Sequence, residues 1–242
     1  MTPFLRLGLT TALALASLAP GAEALAQSMN SSGRGGPPPP VHVLYLVRHG
    51  YYDTKDPADE RVGKHLDALG REQAKLIAAR LEALPVHFAE VRTSTFTRAM
   101  ETGDILAAAL GLPVVRDSLI SECTPPSNRP DIRHDTPGEA DSAQAQLEAA
   151  WAEYARPTPE HDTHTLLVCH GNVIRWFVTR ALGVDTRQWG QMEIANASLT
   201  ILSIRPDGTT RLVEYDDTGH LPLGQQTWAG RGPAWPTAKV PR

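Results

Sequence analysis

Two stretches decide the fold: HVLYLVRHG, from His42 to Gly50, and THTLLVCHGN, from Thr163 to Asn172. Each begins as an almost continuous run of β-prone, apolar residues and ends on a histidine followed by glycine. Such runs mark strands buried on both faces. Helical patterns lie between and after them. Leu66, Leu69, Ile77, Leu81 and Leu84 share one broad stripe, closed by Pro85. Thr97 to Leu110 stops at Gly111 and Pro113, Glu139 to Tyr154 is alanine-rich, and Asn172 to Leu182 ends at Gly183. Phe88 to Thr93 adds a short strand. Ser198 to Ile204 and Thr210 to Tyr215 flank Pro206-Asp207-Gly208, a hairpin turn. The alternation predicts an α/β fold of three layers, a mostly parallel sheet with helices on both faces. Ligands of such sheets bind beyond the carboxyl ends of the strands, where both His-Gly pairs fall.

Outward from this body the composition changes. Arg6, the apolar run Leu7 to Leu18 and the small-residue pattern Ala24-Leu25-Ala26 predict a signal peptide over 1–26. That implies an exported protein, periplasmic or secreted. Residues 27–40, rich in Ser, Asn, Gly and Pro, form a linker. The folded body is expected over 41–222 and a C-terminal tail over 223–242. That tail carries Trp228 and Trp235, and either wraps the body or reaches a partner subunit. No other segment approaches the ~20 apolar residues of a membrane span, so no membrane partner is expected after cleavage. With 23 Lys and Arg against 27 Asp and Glu, the net charge of −4 offers no broad basic field for nucleic acid. Two cysteines, Cys123 and Cys169, exclude a disulfide-stapled miniprotein. The oligomeric state stays open.

The chemistry-bearing residues converge on the strand ends. Arg48-His49-Gly50 follows the first strand, Ser94-Thr95-Phe96-Thr97-Arg98 follows the second, and His170-Gly171-Asn172 follows the later buried strand. Each leads into a loop or a helix start, whose free N–H groups favour an anion. Arginine matches phosphate oxygens with paired donors. Two arginines and two histidines there suit a phosphate group. His161 and His164 precede or enter a strand without further ligands around them, so no metal site is expected.

The RHG run, the S-x-x-x-R-A-x-x-T pattern from Ser94 to Thr102, and the later strand ending in His-Gly-Asn resemble the histidine phosphatase, or phosphoglycerate-mutase-like, superfamily. The ordered match runs from Val43 to Gly219. LGREQA from Leu69, NVIRWFVTRAL from Asn172, ANASLT from Ala195 and DDTG from Asp216 resemble its serine/threonine protein phosphatase members over the catalytic domain alone. The resemblance implies a metal-independent phosphomonoesterase that needs no cofactor and works through a phosphohistidine intermediate. Phosphoserine and phosphothreonine are candidate substrates. His49 would be the nucleophile. Arg48, Arg98 and His170 would hold the phosphate oxygens, with Gly171 and Asn172 beside them, and Glu122 would protonate the leaving oxygen. Asn172 is open between a phosphate contact and a helix cap, Arg175 is expected in a structural ion pair, and Glu101 and Asp104 on a helix surface. Tyr51 and Tyr52 either line the mouth or pack. The segment Pro125 to Pro137 is expected over the site, carrying Arg129, Arg133 and His134. A phosphoglycerate mutase, a small-molecule phosphoester phosphatase, and a non-catalytic periplasmic phospho-ligand binding module are the alternatives.

Overall fold

A computed structural model describes residues 38–228, apart from 54, 59–61, 135 and 159. The expected signal peptide, nearly all of the linker, and Trp235 lie outside the described residues. The described chain forms a six-stranded sheet: β1 (His42–Arg48), β2 (Val91–Thr93), β3 (Val114–Arg116), β4 (Thr163–Cys169), β5 (Leu199–Ile204) and β6 (Thr210–Asp217), in the order β3-β2-β4-β1-β5-β6. The pairs β3–β2, β2–β4 and β4–β1 are parallel, and β5 and β6 add antiparallel strands beyond β1. Four helices complete it: α1 (Ala68–Glu82), α2 (Thr97–Leu110), α3 (Glu139–Tyr154) and α4 (Gly171–Ala181).

The central strands explain the two layers of helix. Leu44 and Leu46 of β1 share one apolar cluster with Leu167 and Cys169 of β4, against Leu147 of α3 and Trp176 and Phe177 of α4. Tyr45 and Val47 point the other way, joining Leu166 and Val168, Ile77 and Leu81 of α1, and Leu106 of α2. Side chains alternate across a strand, so a strand apolar at every position feeds two cores. Each fully buried aliphatic side chain contributes about 1.5–3 kcal/mol. The mostly parallel α/β architecture with helices on both faces is therefore the one the sequence implies.

Element ends differ in instructive ways. Leu66 does not start α1 but bridges to Tyr52, and Asp67 caps the helix by accepting the Gly70 N–H at 2.7 Å. Phe88 lies outside β2, packed edge-on against Tyr45. The first residues assigned to a tail belong to the body: Gln226, Thr227 and Trp228 are buried, and Trp228 bridges to Ala195. Cys169 is buried, Cys123 half-buried, and both are free thiols. Among the described residues, no helix is long and apolar enough to cross a membrane.

The register of β1 and β4 positions the site. Arg48 pairs with Cys169, so His49 and His170 leave the sheet side by side, and the His49 N–H donates to the Cys169 carbonyl at 3.0 Å. The loop after β1 then runs backbone to backbone against the start of α1. A Cβ on Gly50 would lie 2.4 Å from the Gly70 carbonyl oxygen, and one on Gly70 would lie 1.8 Å from that of Tyr51. Neither clash is with a side chain that can swing aside. Gly70→Ala is expected to lower unfolding free energy by about 1–3 kcal/mol or more through forced backbone shifts. Gly224→Ala, where an added Cβ meets nothing within 4 Å, should change it by less than about 0.5 kcal/mol. Urea denaturation of the two variants checks the contrast.

Candidate active site

β1 delivers Arg48 into the body rather than into water. It is 4% exposed, and its Nη1 donates to the Ile194 carbonyl at 2.6 Å. A Cβ on Gly171 would come within 3.4 Å of Arg48 Nε, so the glycine leaves the guanidinium its room. Burial lowers the Arg48 pKa to about 10, which keeps it cationic at neutral pH. Its Nε is buried without a partner among the described residues.

His49 is 1% exposed and held by two opposed hydrogen bonds. Nδ1 lies 2.8 Å from the Gly50 carbonyl, which can only accept, so Nδ1 carries the proton. Nε2 accepts from Arg98 Nε at 3.1 Å, so its lone pair faces the cationic side of the site. Burial first, then Arg98, His170 and Arg48, hold its pKa well below the ordinary histidine value. The loop is fixed from both ends. Thr102 Oγ1 accepts the Gly50 N–H and donates to the Arg98 carbonyl, while the His49 carbonyl accepts from Asn196 Nδ2 and the Ala197 N–H.

Arg98 sits in the first turn of α2, 6% exposed, between two aromatic faces. Its Cζ lies 5.0 Å from the Tyr52 ring centroid and 5.2 Å from that of Phe96, a cation–π clamp. His170 caps α4 and is fully buried. Its Nε2 lies 2.7 Å from Ser94 Oγ. Its Nδ1 has no hydrogen-bond partner and stands 3.9 Å from Glu122 Oε2. Burial, Arg98 and Arg48 lower the His170 pKa well below its ordinary value. Burial raises that of Glu122, against the opposing pull of Arg98, Arg48 and Arg175. The two imidazole centroids are 5.1 Å apart. A cavity of about 100 Å³ opens among Arg48, His49, Tyr52, Arg98, Glu122, Gly171, Asn172, Arg175, Glu193 and Ile194.

The structure thus brings together all of His49, Arg48, Arg98, His170, Glu122, Gly171 and Asn172. It departs from expectation around them. Asn172 is not the helix cap, because α4 begins one residue earlier and His170 holds that position. Its amide bridges instead, donating to the Cys123 carbonyl and accepting from Arg175 Nη2 at 2.6 Å. Arg175 makes no carboxylate ion pair among the described residues. It donates to the Gly171 and Met192 carbonyls and stacks on Trp189, with its Cζ 4.7 Å from the ring centroid. The segment Pro125 to Pro137 docks on the turn Thr186–Gln191, through Asn128 N–H to the Arg187 carbonyl and Trp189 Nε1–H to the Pro126 carbonyl. Arg129 pairs with Asp131, His134 meets the Thr124 carbonyl, and neither they nor Arg133 line the cavity. Asp104 pairs with Arg116 at the surface, but Glu101 is a tie rather than a surface charge, receiving the Leu66 N–H and pairing with His65 and Arg71. Thr102, Asn196 and Arg175 join the site without having been singled out for it from the sequence. Thr102 and Asn196 lie in the quoted patterns Ser94 to Thr102 and ANASLT, and Arg175 lies three residues from Asn172 on a helix.

Among the described residues no three His, Cys, Asp or Glu side chains gather as a metal site. The family model of the histidine phosphatase superfamily, branch 1, matches residues 44–125 and 124–218. The mitochondrial serine/threonine-protein phosphatase Pgam5 of Caenorhabditis briggsae is 38% identical over 185 residues, 74% of this chain and 64% of that protein. The mitochondrial PGAM5 phosphatase of Homo sapiens is 35% identical over 185 residues, 74% of this chain and 63% of its own. The chain therefore spans slightly less than two thirds of these relatives. Among solved structures, the alpha-ribazole phosphatase of Shigella flexneri superposes with a TM-score of 0.58 at 19% identity, covering 72% of this chain and 96% of that one, a likeness of fold. The relatives correct one expectation. They are mitochondrial proteins, not periplasmic or secreted ones, which overturns the export reading drawn from residues 1–26.

The two depressed histidines carry a stability signature. Their folded pKa values lie below the unfolded value near 6.5, so the unfolded chain takes up protons first on acidification. The stabilisation is present above that value and is lost as pH falls below it, by up to about 1.4 kcal/mol per pH unit for each ring. Glu122 and Asp216, whose pKa values are raised, act oppositely: their contribution is present below the unfolded carboxyl value and lost as pH rises through the folded one. Denaturation curves between about pH 7 and pH 5 should show wild-type stability falling with acid. The fall should be shallower in His49→Asn and shallowest in the His49→Asn, His170→Asn pair. Parallel slopes for all three would mean the rings are not held neutral.

Proposed function

The chain belongs to the histidine phosphatase superfamily, and on that premise we propose that it is a phosphatase that cleaves phosphomonoesters through a phosphohistidine at His49. One observation carries the reading: the unprotonated Nε2 of His49 lies against Arg98 at a cavity that Arg48, Arg98 and Glu122 also line, with the His170 ring 5.1 Å away. A phosphoryl group spreads negative charge over its non-bridging oxygens during transfer, and preorganised donors stabilise that charge. Arg48 Nε and His170 Nδ1, both buried without a partner among the described residues, are donors kept for those oxygens, along with the Arg98 guanidinium. Gly171 and Asn172 line the cavity wall, which supports their contact with the substrate.

In the first step His49 Nε2 forms a bond to phosphorus as the ester P–O bond breaks. Glu122, whose burial favours the protonated acid, gives its proton to the departing oxygen. In the second step water attacks phosphorus, the N–P bond breaks, and the Glu122 carboxylate takes the water's proton. The neutral state of His49 leaves Nε2 unprotonated, so its lone pair can attack once phosphate draws Arg98 Nε away from it. No metal or cofactor enters this scheme. Serine and threonine phosphoesters of proteins are the proposed substrates, because the relatives are serine/threonine-protein phosphatases. Their alkoxide leaving groups need a proton, which gives Glu122 its task.

Hydrolysis of p-nitrophenyl phosphate in excess EDTA is expected for the wild-type chain, and His49→Ala should lower it about 10³-fold or more. Acid-labile phosphate should be trapped on His49. Glu122→Gln should slow a phosphoserine peptide by roughly 10²–10⁴-fold but p-nitrophenyl phosphate much less, because that leaving group departs without a proton. A wild-type protein inert toward phosphopeptides and small phosphoesters alike would sink the enzyme reading. Transfer to a phosphoglycerate in place of water would redirect it to a mutase.

A further inference from the structure

As a phosphate ligand His170 presents a donor, and the neutral ring that burial, Arg98 and Arg48 favour before an anion enters has one N–H. Nδ1 is the nitrogen that faces Glu122, itself on the cavity wall, and it has no partner among the described residues. The proton must therefore sit on Nδ1, and Nε2 must accept. Nε2 meets a single group, Ser94 Oγ, at 2.7 Å. We infer that Ser94 is a positioning residue: its hydroxyl donates to His170 Nε2 and so fixes the tautomer that aims Nδ1–H at the phosphate. The inference rests on the proposed role of His170 as a phosphate ligand.

The surroundings of Ser94 favour that direction. Its oxygen already accepts the Phe96 N–H at 3.1 Å, so its own proton is free to be given. The competing acceptor, Ser121 Oγ, is farther away at 3.3 Å. Ser121 is otherwise engaged with Thr95, whose Oγ1 lies at 2.9 Å and whose N–H lies at 3.4 Å. Both Ser94 and His170 are fully buried, so no water competes for the contact. Burial and the two arginines keep the ring uncharged, which makes the placement of the single proton decisive. A protonated Nε2 would leave a bare Nδ1 lone pair facing the phosphate, a repulsive contact where a donor is needed.

Nitrogen-15 NMR of histidine-labelled protein reads the ring without turnover. The wild-type His170 is expected to show a protonated Nδ1 and a bare Nε2. Ser94→Ala should lose this pattern, shifting toward protonated Nε2. It should also lower kcat roughly 10- to 100-fold, part of the loss expected from a missing transition-state donor, with KM changed much less. Ser121→Ala should keep the wild-type ring pattern. A bare Nδ1 in wild type overturns the inference, as does a Ser94→Ala ring that stays protonated at Nδ1, whatever its activity. The wild-type spectrum decides even if Ser94→Ala fails to fold. A wild-type chain inert on every phosphoester sinks the phosphatase reading, while the spectrum still judges Ser94.

Discussion

Two buried guanidinium groups, neither ion-paired to a carboxylate among the described residues, are the constraint around which the site is built. Arg48 and Arg98 are 4% and 6% exposed. Burying a charge is costly unless it is paired or hydrogen-bonded. Here the compensation is partial and neutral: the Ile194 carbonyl for Arg48, and His49 Nε2 with two aromatic faces for Arg98. The remaining positive potential sets the state of everything nearby. It joins burial in holding both histidines neutral and opposes burial at Glu122. One field therefore favours an unprotonated Nε2 on His49, a His170 ring with a single proton to place, and an anion in the cavity. A carboxylate salt-bridged to either arginine would cancel that potential.

The strands that carry the chemistry were legible because their signal is local and doubled. A strand apolar at every position has no solvent face, so β1 and β4 had to lie inside a layered sheet, and both end on His-Gly. α2 and α3 were legible to their last residues, α2 because Gly111 ends it in the left-handed conformation at φ 66°. Arg98, the second residue of that helix, could be placed at the site because the chain that precedes it leaves β2 at the same sheet edge. Glu122 was placed by family pattern alone. Its geometry depends on a 3-10 turn at Ser118–Ile120 and on burial that no local pattern announces.

What stayed illegible depends on sheet order. Asn196 donates to the His49 carbonyl across 147 residues of sequence, a contact that exists because β5 lies beside β1. Arg175 was expected to find an acid, as solvent-facing arginines do. It sits instead where three loop ends meet the start of α4, and carbonyls satisfy a guanidinium there as well as a carboxylate would. Asn172 shows the sensitivity to register: one residue decides between capping a helix and bridging two loops. The export reading had a different weakness. It rested on the composition of a leader with Arg6 as its basic residue, and composition does not specify a destination.

Beneath His49, a closed polar ring explains why residues beyond β6 belong to the folded body. The Tyr51 N–H donates to Gln73 Oε1, Gln73 Nε2 donates to Thr227 Oγ1, Thr227 donates to Asn196 Oδ1, and Asn196 Nδ2 returns to the His49 carbonyl. Gln73, Thr227 and Asn196 are all buried, and a buried polar group left unsatisfied is costly. The ring therefore has few alternative arrangements, and it grips the backbone on either side of Gly50. With Gly50 pressed against α1 from the other direction, the His49 backbone is held on every side. The imidazole then turns about its own side-chain bonds alone, and the Gly50 carbonyl and Arg98 fix those. Positional accuracy of this kind is what attack on phosphorus requires, and here it is drawn from α1, from the β5 entry loop and from the chain after β6, none of which carries a reacting group.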